Sequence, residues 1–291
     1  MLKKCNLSVK IKTVMKMRIT NKLPVYDREF YIGRGKTFSV SKKTLSEPCR
    51  AHAHDFFEME FIISGSGKHI INGKEHRLNS GSVYILTPSD VHVVIPDEPL
   101  DYYGIMFSEE IFREALIGDI LISTEGTQIE LSRNEAEKMK NLFSLLTEDK
   151  KEDTFSDDFS GGLMRCIMVL FFRAMGEINL KVSASGIKTA LVYIHRYFKE
   201  QIGLKEAAAA ANLSGHYFSD LFKKTMGKNF YDYLTSLRLR YAENLLILSS
   251  ESITEICFAS GFNSFPGFFR AFKKKHGISP REFRKNKGKT T

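Results

Sequence analysis

The chain has 291 residues, 43% of them hydrophobic, which is enough for two ordinary globular domains. Its formal net charge of +9 is uneven: the segment from Ser183 onward holds 18 Lys or Arg against 8 Asp or Glu, and the preceding 182 residues hold 25 against 26. This distribution indicates a basic C-terminal part that binds nucleic acid. The four cysteines have no CxxC spacing, so they indicate neither a zinc ribbon nor a disulfide framework, and this is typical of the reducing cytoplasm. The longest apolar run, 167–172, is too short to span a membrane.

The N-terminal part of the sequence predicts a β domain. Residues 1–22 are basic and lack clear periodicity, so we interpret them as an N-terminal extension. In residues 23–125 short apolar runs alternate with turn residues, and Asn72-Gly73 between two such runs predicts a two-residue hairpin. Many short strands at regular spacing indicate a sandwich or a barrel. The predicted strands cover 56–63, 69–71, 83–87, 91–95 and 102–107.

Residues 126–180 are predicted to form a helix pair. Ser132 and Glu135 have the spacing of a capping box, and the apolar residues behind them recur on one helical stripe. A longer helix with a second apolar stripe is predicted over 157–178. Ser108 can cap a further helix before this pair. Both stripes indicate that the helices pack against another apolar surface.

The C-terminal part begins after a small, polar linker at 181–186 and contains one short pattern twice. Both copies fit Phe-x3-Phe-Lys-Lys-x2-Gly, at 218–227 and 268–277. Two aromatic residues four positions apart share one helix face and are buried together. Paired lysines favour the negative end of the helix dipole, and the glycine ends the helix in a left-handed conformation. Each copy is therefore predicted to be a helix with an apolar inner face and a basic end.

A cap, a sharp turn and a shorter helix precede each copy of this pattern. Ser214 and Ser264 stand four residues before the first aromatic residue and are predicted N-caps. Asn212 and Gly261 occupy matching positions and tolerate the positive φ of a sharp turn. A short helix, a turn and a second helix make a helix-turn-helix. Residues 187–291 are therefore predicted to form an all-α domain with two such units.

The segment from about Ile187 to Lys287 resembles the DNA-binding domain of AraC/XylS-type transcription regulators. The motifs that carry the resemblance are Arg238-Leu-Arg-Tyr-Ala242-x2-Leu-Leu246, Ile253-Thr-Glu-Ile256, Gly261-Phe262, Phe268-x3-Phe272-Lys273-Lys274 and Gly277-Ile-Ser-Pro280-x2-Phe-Arg284. They stand in the expected order over roughly one hundred residues. One continuous helix predicted over 230–248 would fix the separation of the two units, so that both enter successive major-groove segments.

Two motifs in the β region resemble those of the cupin barrel, which often serves as the sensor domain of AraC-like regulators. They read His52-Ala-His54-x3-Glu58-x6-Gly65 and Gly81-x6-Pro88-x3-His92. By this resemblance His52, His54, Glu58 and His92 match the metal-ligand positions of metallocupins and form the expected effector pocket. Three imidazoles and one carboxylate suit a divalent transition metal such as Zn, Fe, Mn, Ni or Cu. The alternative is a pocket that holds a small effector without any metal.

The N-terminal part of the second helix of each unit is expected to meet the bases. The candidate DNA-binding residues are Ser214, His216, Tyr217, Ser219, Asp220, Lys223, Lys224, Arg238, Ser264, Phe265, Phe269, Arg270, Lys273 and Lys274. The candidates for phosphate contacts are Lys223, Lys224, Lys273, Lys274, Arg238, Arg240, Arg281 and Arg284. Arg270 either reads a guanine or clamps a phosphate, and Asp220 is repelled by DNA unless it accepts from a cytosine amino group. Phe265 and Phe269 either contact thymine methyl groups or belong to the core.

These features predict an α+β protein with an N-terminal cupin-like β-barrel, a helix pair and a C-terminal all-α domain with two helix-turn-helix units. The resemblance implies a cytoplasmic, sequence-specific transcription regulator of operator DNA, controlled by a small molecule such as a sugar or a related metabolite. Its implied partners are double-stranded operator DNA, the effector, RNA polymerase and a second copy of the chain, since such a helix pair resembles the family's dimerisation element. The alternative for the pair is simple packing on the barrel.

Two other functions remain open at this point. The first is a cupin metalloenzyme, an isomerase or dioxygenase, with an accessory DNA-binding domain. The second is a nucleoid-type protein that binds DNA without sequence preference. The basic repeat favours the regulator over the enzyme, because an enzyme has no need of it, and no catalytic residue is assigned.

Overall fold

The computed structural model describes residues 22–108, 121, 127–149, 153–176 and 185–287. The predicted N-terminal extension, the helix predicted after Ser108 and most of the predicted linker lie outside these residues. In the described part the strands end at Glu130 and helices follow, so the predicted α+β class is confirmed. No helix in that part is long and apolar enough to cross a membrane.

The β domain consists of two five-stranded sheets. The strands are β1 Val25–Tyr26, β2 Phe38–Leu45, β3 His52–His54, β4 Phe57–Ser64, β5 Gly67–Ile71, β6 Lys74–Leu78, β7 Ser82–Leu86, β8 Val91–Pro96, β9 Leu100–Phe107 and β10 Thr127–Glu130. A short helix, α1 Arg28–Tyr31, follows β1. The first sheet has the order β1-β3-β8-β5-β6 and the second the order β10-β7-β4-β9-β2. The predicted barrel is therefore an open sandwich of two sheets in the described residues.

The predicted hairpin at Asn72-Gly73 is confirmed. Asn72 has φ 50° and Gly73 has φ 77°, as a tight turn between twisted strands requires. The turn pairs β5 with β6 and fixes their register. β8 pairs with β5 on its other side, so that His92 lies opposite Ile71.

Helices form the rest of the described chain. Their bounds are α2 Arg133–Glu148, α3 Ser156–Ala174, α4 Ser185–Tyr197, α5 Leu204–Ala210, α6 Gly215–Met226, α7 Phe230–Leu248, α8 Ile253–Ala259, α9 Phe265–His276 and α10 Pro280–Lys287. The capping box of Ser132 with Glu135 is present at α2, as predicted. The long helix predicted over 230–248 is confirmed as α7.

The predicted stripes of the helix pair pack inside the molecule. Phe143 of α2 stacks on Phe61 and Tyr103, with ring centroids 5.9 Å and 5.2 Å apart, and covers the outer face of the second sheet. On α3 the buried positions are Leu163, Met164, Ile167, Met168 and Phe171. These residues are therefore core. Of the predicted stripes, however, Phe159 is 48% exposed and Leu142 and Leu170 are half-buried, so the stripes pack inside only in part.

The helical domain contains the two predicted helix-turn-helix units, α5–α6 and α8–α9. Asn212 and Gly261 have the predicted positive φ, 54° and 88°, at the turns. Gly261 is constrained by space as well, because a Cβ there would come within 2.6 Å of the Phe198 carbonyl oxygen. Gly227 and Gly277 end α6 and α9 in the left-handed conformation, as predicted. The repeated aromatic residues are buried between the helices.

Candidate functional site

The candidate pocket lies between the two sheets. Successive side chains of a strand point to opposite faces, so His52 and His54 of β3 share the inner face while Ala53 points outward. His92 of β8 stands directly opposite His52 in the register of the first sheet. Glu58 reaches them from β4 of the second sheet. All four predicted pocket residues therefore meet inside the sandwich, where each of them is buried.

Three of these residues form a compact cluster. One ligand atom from each of His52, Glu58 and His92 lies within 4.8 Å of the other two. The Glu58 Oε2 atom is 3.4 Å from His92 Nε2 and 3.5 Å from His54 Nε2. His54 stands beside this cluster rather than in it. The structure thus brings the four predicted residues together and arranges three of them as a ligand set.

Main-chain carbonyl groups fix two of the imidazole rings. The Nδ1–H group of His52 donates to the Arg50 oxygen at 2.7 Å, and that of His54 donates to the Phe56 oxygen at 2.6 Å. A carbonyl oxygen can only accept, so in the neutral rings Nε2 carries the lone pair. Histidines that bind a metal are usually held in this way through their other nitrogen.

The pocket contains polar atoms that lack a hydrogen-bond partner among the described residues. They are His54 Nε2, Glu58 Oε2, His69 Nδ1, Tyr84 Oη and His92 Nε2. Buried polar groups are nearly always paired, and each unpaired one is costly. With neutral His54, a lone pair and a carboxylate oxygen face each other at 3.5 Å, and two acceptors repel. The site is completed by a proton, a cation or the donor groups of a ligand.

Burial dominates the electrostatics of the pocket. It lowers the pKa of His52 below its usual value and lowers the pKa of His92 well below, which favours neutral rings. Burial would raise the pKa of Glu58, but contact with His54 and the charges of the neighbouring histidines bring it below its ordinary value. Burial and the charge of Glu58 raise the pKa of Glu60 well above normal. These shifts disfavour charge on His52, His92 and Glu60 and favour it on Glu58, where the effect depends on positive charge on the neighbouring histidines.

The sequence motifs missed four residues of this pocket. His69 of β5 lies 3.0 Å from His92, from Nε2 to Nδ1, and its ring packs on Tyr84 with centroids 4.1 Å apart. Glu60 stands two residues after Glu58 on the same face of β4, opposite Tyr84. Tyr26 stacks on His52 at 4.3 Å and covers the pocket from β1. The period of two along β4 could have predicted that Glu60 faces the pocket with Glu58. His69, Tyr84 and Tyr26 could not be predicted in this way, because their positions depend on how distant strands pair.

The first recognition helix, α6, presents a polar outer face. Ser214 caps it by accepting from the Tyr217 amide at 3.4 Å, which gives this predicted DNA-binding residue a structural role as well. His216 and Asp220 are both exposed and lie 3.4 Å apart, so the aspartate partly neutralises any charge on the histidine. Of the other candidates, Ser219 is half-buried and the exposed ones are Tyr217, Lys223 and Lys224.

The second recognition helix, α9, combines an apolar start with a basic end. Ser264 caps it by accepting from the Gly267 amide at 3.3 Å. Phe265 is 38% exposed, and its ring centroid lies 6.1 Å from that of the half-buried Phe269. The two rings therefore form a partly exposed patch rather than full core. The exposed basic candidates on this helix are Arg270, Lys273 and Lys274.

Three arginines predicted to contact phosphate bind other parts of the protein. Arg238 Nε donates to the Phe198 oxygen at 2.7 Å and Nη2 donates to the Glu200 oxygen at 2.6 Å, which ties α7 to the end of α4. Arg284 Nε donates to a main-chain carbonyl of α7. Arg240 donates to a loop of the β domain. The geometry therefore leaves the exposed lysines, Arg270 and Arg281 as the basic DNA-facing candidates.

Two family models match the chain. The one described as a helix-turn-helix domain matches residues 207–286, and the one described as an AraC-like ligand binding domain matches residues 47–158. The chain belongs to the AraC/XylS family of transcription regulators. The predicted function, an AraC-type transcription regulator with a ligand-binding domain, is confirmed.

Similar proteins of this AraC/XylS family include the HTH-type transcriptional activator RhaS of Escherichia coli O1:K1 / APEC, which is 23% identical over 243 residues, 81% of this chain and 87% of RhaS. Among solved structures, ToxT of Vibrio cholerae is 17% identical, with a TM-score of 0.40 over 86% of this chain and 98% of ToxT. The C-terminal domain of the response regulator yesN from Fusobacterium nucleatum is 31% identical and covers 33% of this chain and 93% of that domain, with a TM-score of 0.32.

Proposed function

We propose that this AraC-type regulator acts in the cytoplasm and that a small polar molecule bound between the two sheets controls its affinity for operator DNA. The observation that carries the proposal is the set of buried, unpartnered acceptors around Glu58 in a chain whose recognition helices carry an exposed basic face. A ligand that binds one arrangement of the domains better than another shifts the population of the two. The proposed output is activation through contact with RNA polymerase, by analogy with the activator RhaS.

The pocket chemistry favours an effector that is rich in hydrogen-bond donors. Glu58 Oε2 and, in the neutral ring, His54 Nε2 are acceptors, because His54 Nδ1 donates to a main-chain carbonyl. Hydroxyl groups of a sugar or a related polyol supply such donors. A sugar or a similar hydroxylated metabolite is therefore the effector class that we propose.

A divalent transition metal also fits the cluster of His52, Glu58 and His92. The donor set of two imidazoles and one carboxylate suits such ions, and the hydrogen bond from His52 Nδ1 to a carbonyl leaves Nε2 free to coordinate. A cation there would remove the repulsion between Glu58 Oε2 and the nitrogen lone pairs. We propose that the ion holds these side chains and offers a binding position to oxygen atoms of the effector.

The same metal cluster would also serve a cupin isomerase or dioxygenase, which is the second candidate function. The distinguishing observation is the exposed basic end of each recognition helix, at Lys223, Lys224, Lys273 and Lys274. Such a face adds nothing to metal-dependent catalysis, whereas phosphate neutralisation by lysine contributes much of the affinity for DNA. Metal analysis combined with an electrophoretic shift on promoter fragments separates the two functions. A metal-loaded protein that shifts no fragment would favour the enzyme.

The pocket is tested by removing its acceptors. Protein purified without chelators is expected to carry about one divalent metal ion per chain, and Glu58→Gln is expected to reduce this to about a tenth or less because it removes the charged ligand. The His54→Ala variant is expected to weaken the response of a promoter reporter to its effector. Metal content is measured by mass spectrometry of the digested protein, and the effector response by reporter dose-response.

The matched control for these variants is His216→Ala, which removes an exposed histidine of α6 outside the pocket. It is expected to leave metal content unchanged. If wild-type protein carries no bound metal, the proposed metal site is contradicted, but the proposal of a donor-rich effector still stands. An unchanged dose-response in His54→Ala contradicts the effector pocket itself.

We propose a homodimer that forms through the outer face of the helix pair. A groove of about 510 Å³ lies between α2 and α3, and its lining is mostly apolar. Its walls are Lys138, Asn141, Leu142, Arg165, Cys166, Val169, Leu170 and Arg173. Leu145, Phe159 and Val169 are large apolar residues on these helices with exposures of 51%, 48% and 42%. Apolar faces of this kind mark interfaces more often than free surface.

The Val169→Asp variant is expected to convert the dimer into a monomer at micromolar concentration. The new carboxylate lies one helical turn from both Arg165 and Arg173, and desolvating such an ion pair in each half of a symmetric interface, in place of an apolar contact, costs about 2 kcal/mol per subunit. Because Val169 is exposed in the single chain, the fold is expected to survive. Sedimentation velocity measures the change, and Phe30→Asp, at a residue 82% exposed on α1, is the control. A wild-type protein that sediments as a monomer contradicts the proposal.

A further inference from the structure

A buried polar contact joins the sensor domain to the helical domain, outside the pocket residues and the recognition helices. We call it the interdomain latch. Its members are Asn72, Thr87, Ser89 and Asp90 on the sensor side and His195, Tyr233, Arg240 and Asn244 on the helical side. Five of them, Thr87, Ser89, Asp90, His195 and Asn244, are buried. Separating buried polar groups from their hydrogen-bond partners is costly, so the latch has a defined geometry.

The sensor side of the latch is organised around Asp90. Its carboxylate accepts from Asn72 Nδ2 at 2.6 Å, from the Thr87 amide at 2.8 Å and from the Thr87 hydroxyl at 2.8 Å. Ser89 lies within this loop, with its hydroxyl 2.9 Å from that of Thr87. The β7–β8 loop and the β5–β6 turn are therefore held as one unit.

Hydrogen bonds cross from this unit to α4 and α7. Arg240 Nη2 donates to Ser89 Oγ at 2.9 Å, and Asn244 Nδ2 donates to Asn72 Oδ1 at 2.8 Å. His195 Nδ1 lies 3.3 Å from Ser89 Oγ. Burial and the charge of Arg240 lower the pKa of His195 to about 3, so the ring is neutral. It can then donate to the serine through Nδ1 and accept from Tyr233 through Nε2, where the distance is 2.7 Å.

The latch is directly continuous with the pocket. The Val91 amide donates to Asn72 Oδ1 at 3.1 Å, and the Asn72 amide donates to the Val91 oxygen at 2.8 Å. Val91 precedes the pocket residue His92, and Asp90 is only two positions away from it. Asn72 Oδ1 accepts from both the Val91 amide and Asn244 Nδ2. One oxygen atom therefore links the pocket strand β8 to the interdomain contact. Because Asp90 and Val91 immediately precede His92 in the chain, a displacement of His92 therefore changes the hydrogen-bond geometry of the latch.

On the other side the latch ends on the helix that connects the two DNA-reading units. α7 packs against α6, α8, α9 and α10. Arg240 and Asn244 stand one turn apart on it, so the two crossing hydrogen bonds fix both its position and its rotation. A helix held in this way transmits a displacement to both recognition helices, because both of them pack against it.

We propose that the interdomain latch couples the state of the pocket to the orientation of α7 and thereby to the position of both recognition helices relative to the sensor domain. This inference rests on the proposed function, since it takes the pocket as the place where the effector acts. Packed interfaces shift between discrete arrangements rather than deform continuously. The proposed coupling runs through the latch. It passes from β8 to Asn72 and the 87–90 loop on the sensor side, and from there to Arg240 and Asn244 on the helical side.

The test perturbs the pocket by mutation, so that neither an effector nor DNA is needed. Glu58→Gln is introduced into the full chain, once with the latch intact and once together with Ser89→Ala and Asn244→Ala. Amide hydrogen exchange of α7 is followed by mass spectrometry. With the latch intact, Glu58→Gln is expected to change exchange rates in α7 by about fivefold or more, the lower end of usual couplings between sites. With the latch removed, the change is expected to be below about twofold.

Two controls separate coupling from a general loss of stability. Ser236→Ala removes a hydroxyl on α7 that donates to the Asp232 oxygen of its own helix, and it is expected to leave the response to Glu58→Gln intact. If the double latch variant does not fold by circular dichroism, Asn244→Ala alone replaces it. That variant keeps the hydrogen bond between Val91 and Asn72 and is expected to reduce the response to Glu58→Gln at least twofold.

Equal responses to Glu58→Gln with and without the latch overturn the proposal, and so does the absence of any response in the latch-intact chain. Either result is independent of DNA binding and of metal content, which are measured separately. A chain that shows latch-dependent coupling but binds no promoter fragment refutes the proposed function and leaves the latch in place.

Discussion

The Arg270→Ala variant is expected to lose about 1–3 kcal/mol of binding free energy on the operator and much less on a scrambled duplex. Arg270 is exposed on α9, whereas Phe268 two positions earlier is completely buried, so the two side chains occupy opposite faces of the helix. The outer face of a recognition helix lies against the base edges in the major groove. A guanidinium group there can donate to both O6 and N7 of guanine. Fluorescence anisotropy on the two duplexes measures the difference.

Salt dependence distinguishes a base contact from a phosphate contact. With about six phosphates neutralised, log affinity of the wild type is expected to fall with a slope near −5 against log salt. Lys273→Ala is expected to weaken both duplexes about equally and to flatten that slope by about one, because phosphates carry no sequence information. Arg270→Ala is instead expected to lose preference at one base pair. Equal losses on both duplexes would make Arg270 a phosphate clamp.

The chain offers a matched lysine control on the same helix. Lys275 Nζ donates to Glu243 Oε1 at 2.7 Å, so its charge is already neutralised within the domain. Lys275→Ala is therefore expected to leave the slope nearly unchanged. His216→Ala on α6 is expected to relax sequence preference about one helical turn of DNA away from Arg270, with a smaller loss because an imidazole cannot make the bidentate contact of a guanidinium group. A chain that binds no promoter fragment at all would contradict the DNA-binding role.

The Phe272→Ala variant is expected to destabilise the second helix-turn-helix unit by about 3–5 kcal/mol. The Phe272 ring is completely buried, with centroids 5.6 Å from Phe268, 5.3 Å from Phe283 and 4.6 Å from His276. Replacement with alanine leaves a cavity, and the surrounding helices can relax into it only in part. Since folded domains are stable by only about 5–15 kcal/mol, much of the unit would be unfolded. Urea denaturation followed by circular dichroism measures the loss.

The control for Phe272→Ala is Phe265→Ala on the same helix. Phe265 is 38% exposed, so its removal creates no closed cavity and is expected to cost less than about 1 kcal/mol. Operator binding is expected to follow the same order, because Phe272→Ala loses the contacts of the whole second unit and Phe265→Ala loses one apolar contact. Similar urea midpoints for both variants would show that the Phe272 ring does not carry the packing assigned to it.

The sequence by itself determined the local structure of the helical domain. The caps at Ser214 and Ser264, the glycine ends of α6 and α9 and the aromatic pairs at four-residue spacing depend on residues within one or two helical turns. The Asn72-Gly73 turn is equally local, because only residues that tolerate positive φ form it. The motif positions of His52, His54, Glu58 and His92 were recognised in the same way, as short patterns.

Tertiary structure alone decided how these parts are used. His69 and Tyr84 enter the pocket because strand pairing between distant segments fixes which faces meet, and no short pattern encodes that register. Arg238 and Arg240 have the same chemistry as a phosphate-binding residue, but their partners lie at Phe198 and Ser89, about 40 and 150 positions away. The identity of a charged side chain is set by sequence, whereas its partner is set by packing.

The helix pair and the latch show the same division. The periodicity of α2 and α3 predicted two amphipathic helices, but it did not say that the predicted stripe faces the sheet while Leu145 and Val169 stay exposed. The contact of Asn72 with Asn244 joins a turn to a helix 172 residues later. Such contacts depend on the docking of both domains, because the entropy of closing a loop over that distance is offset by the complete interface and not by any local preference.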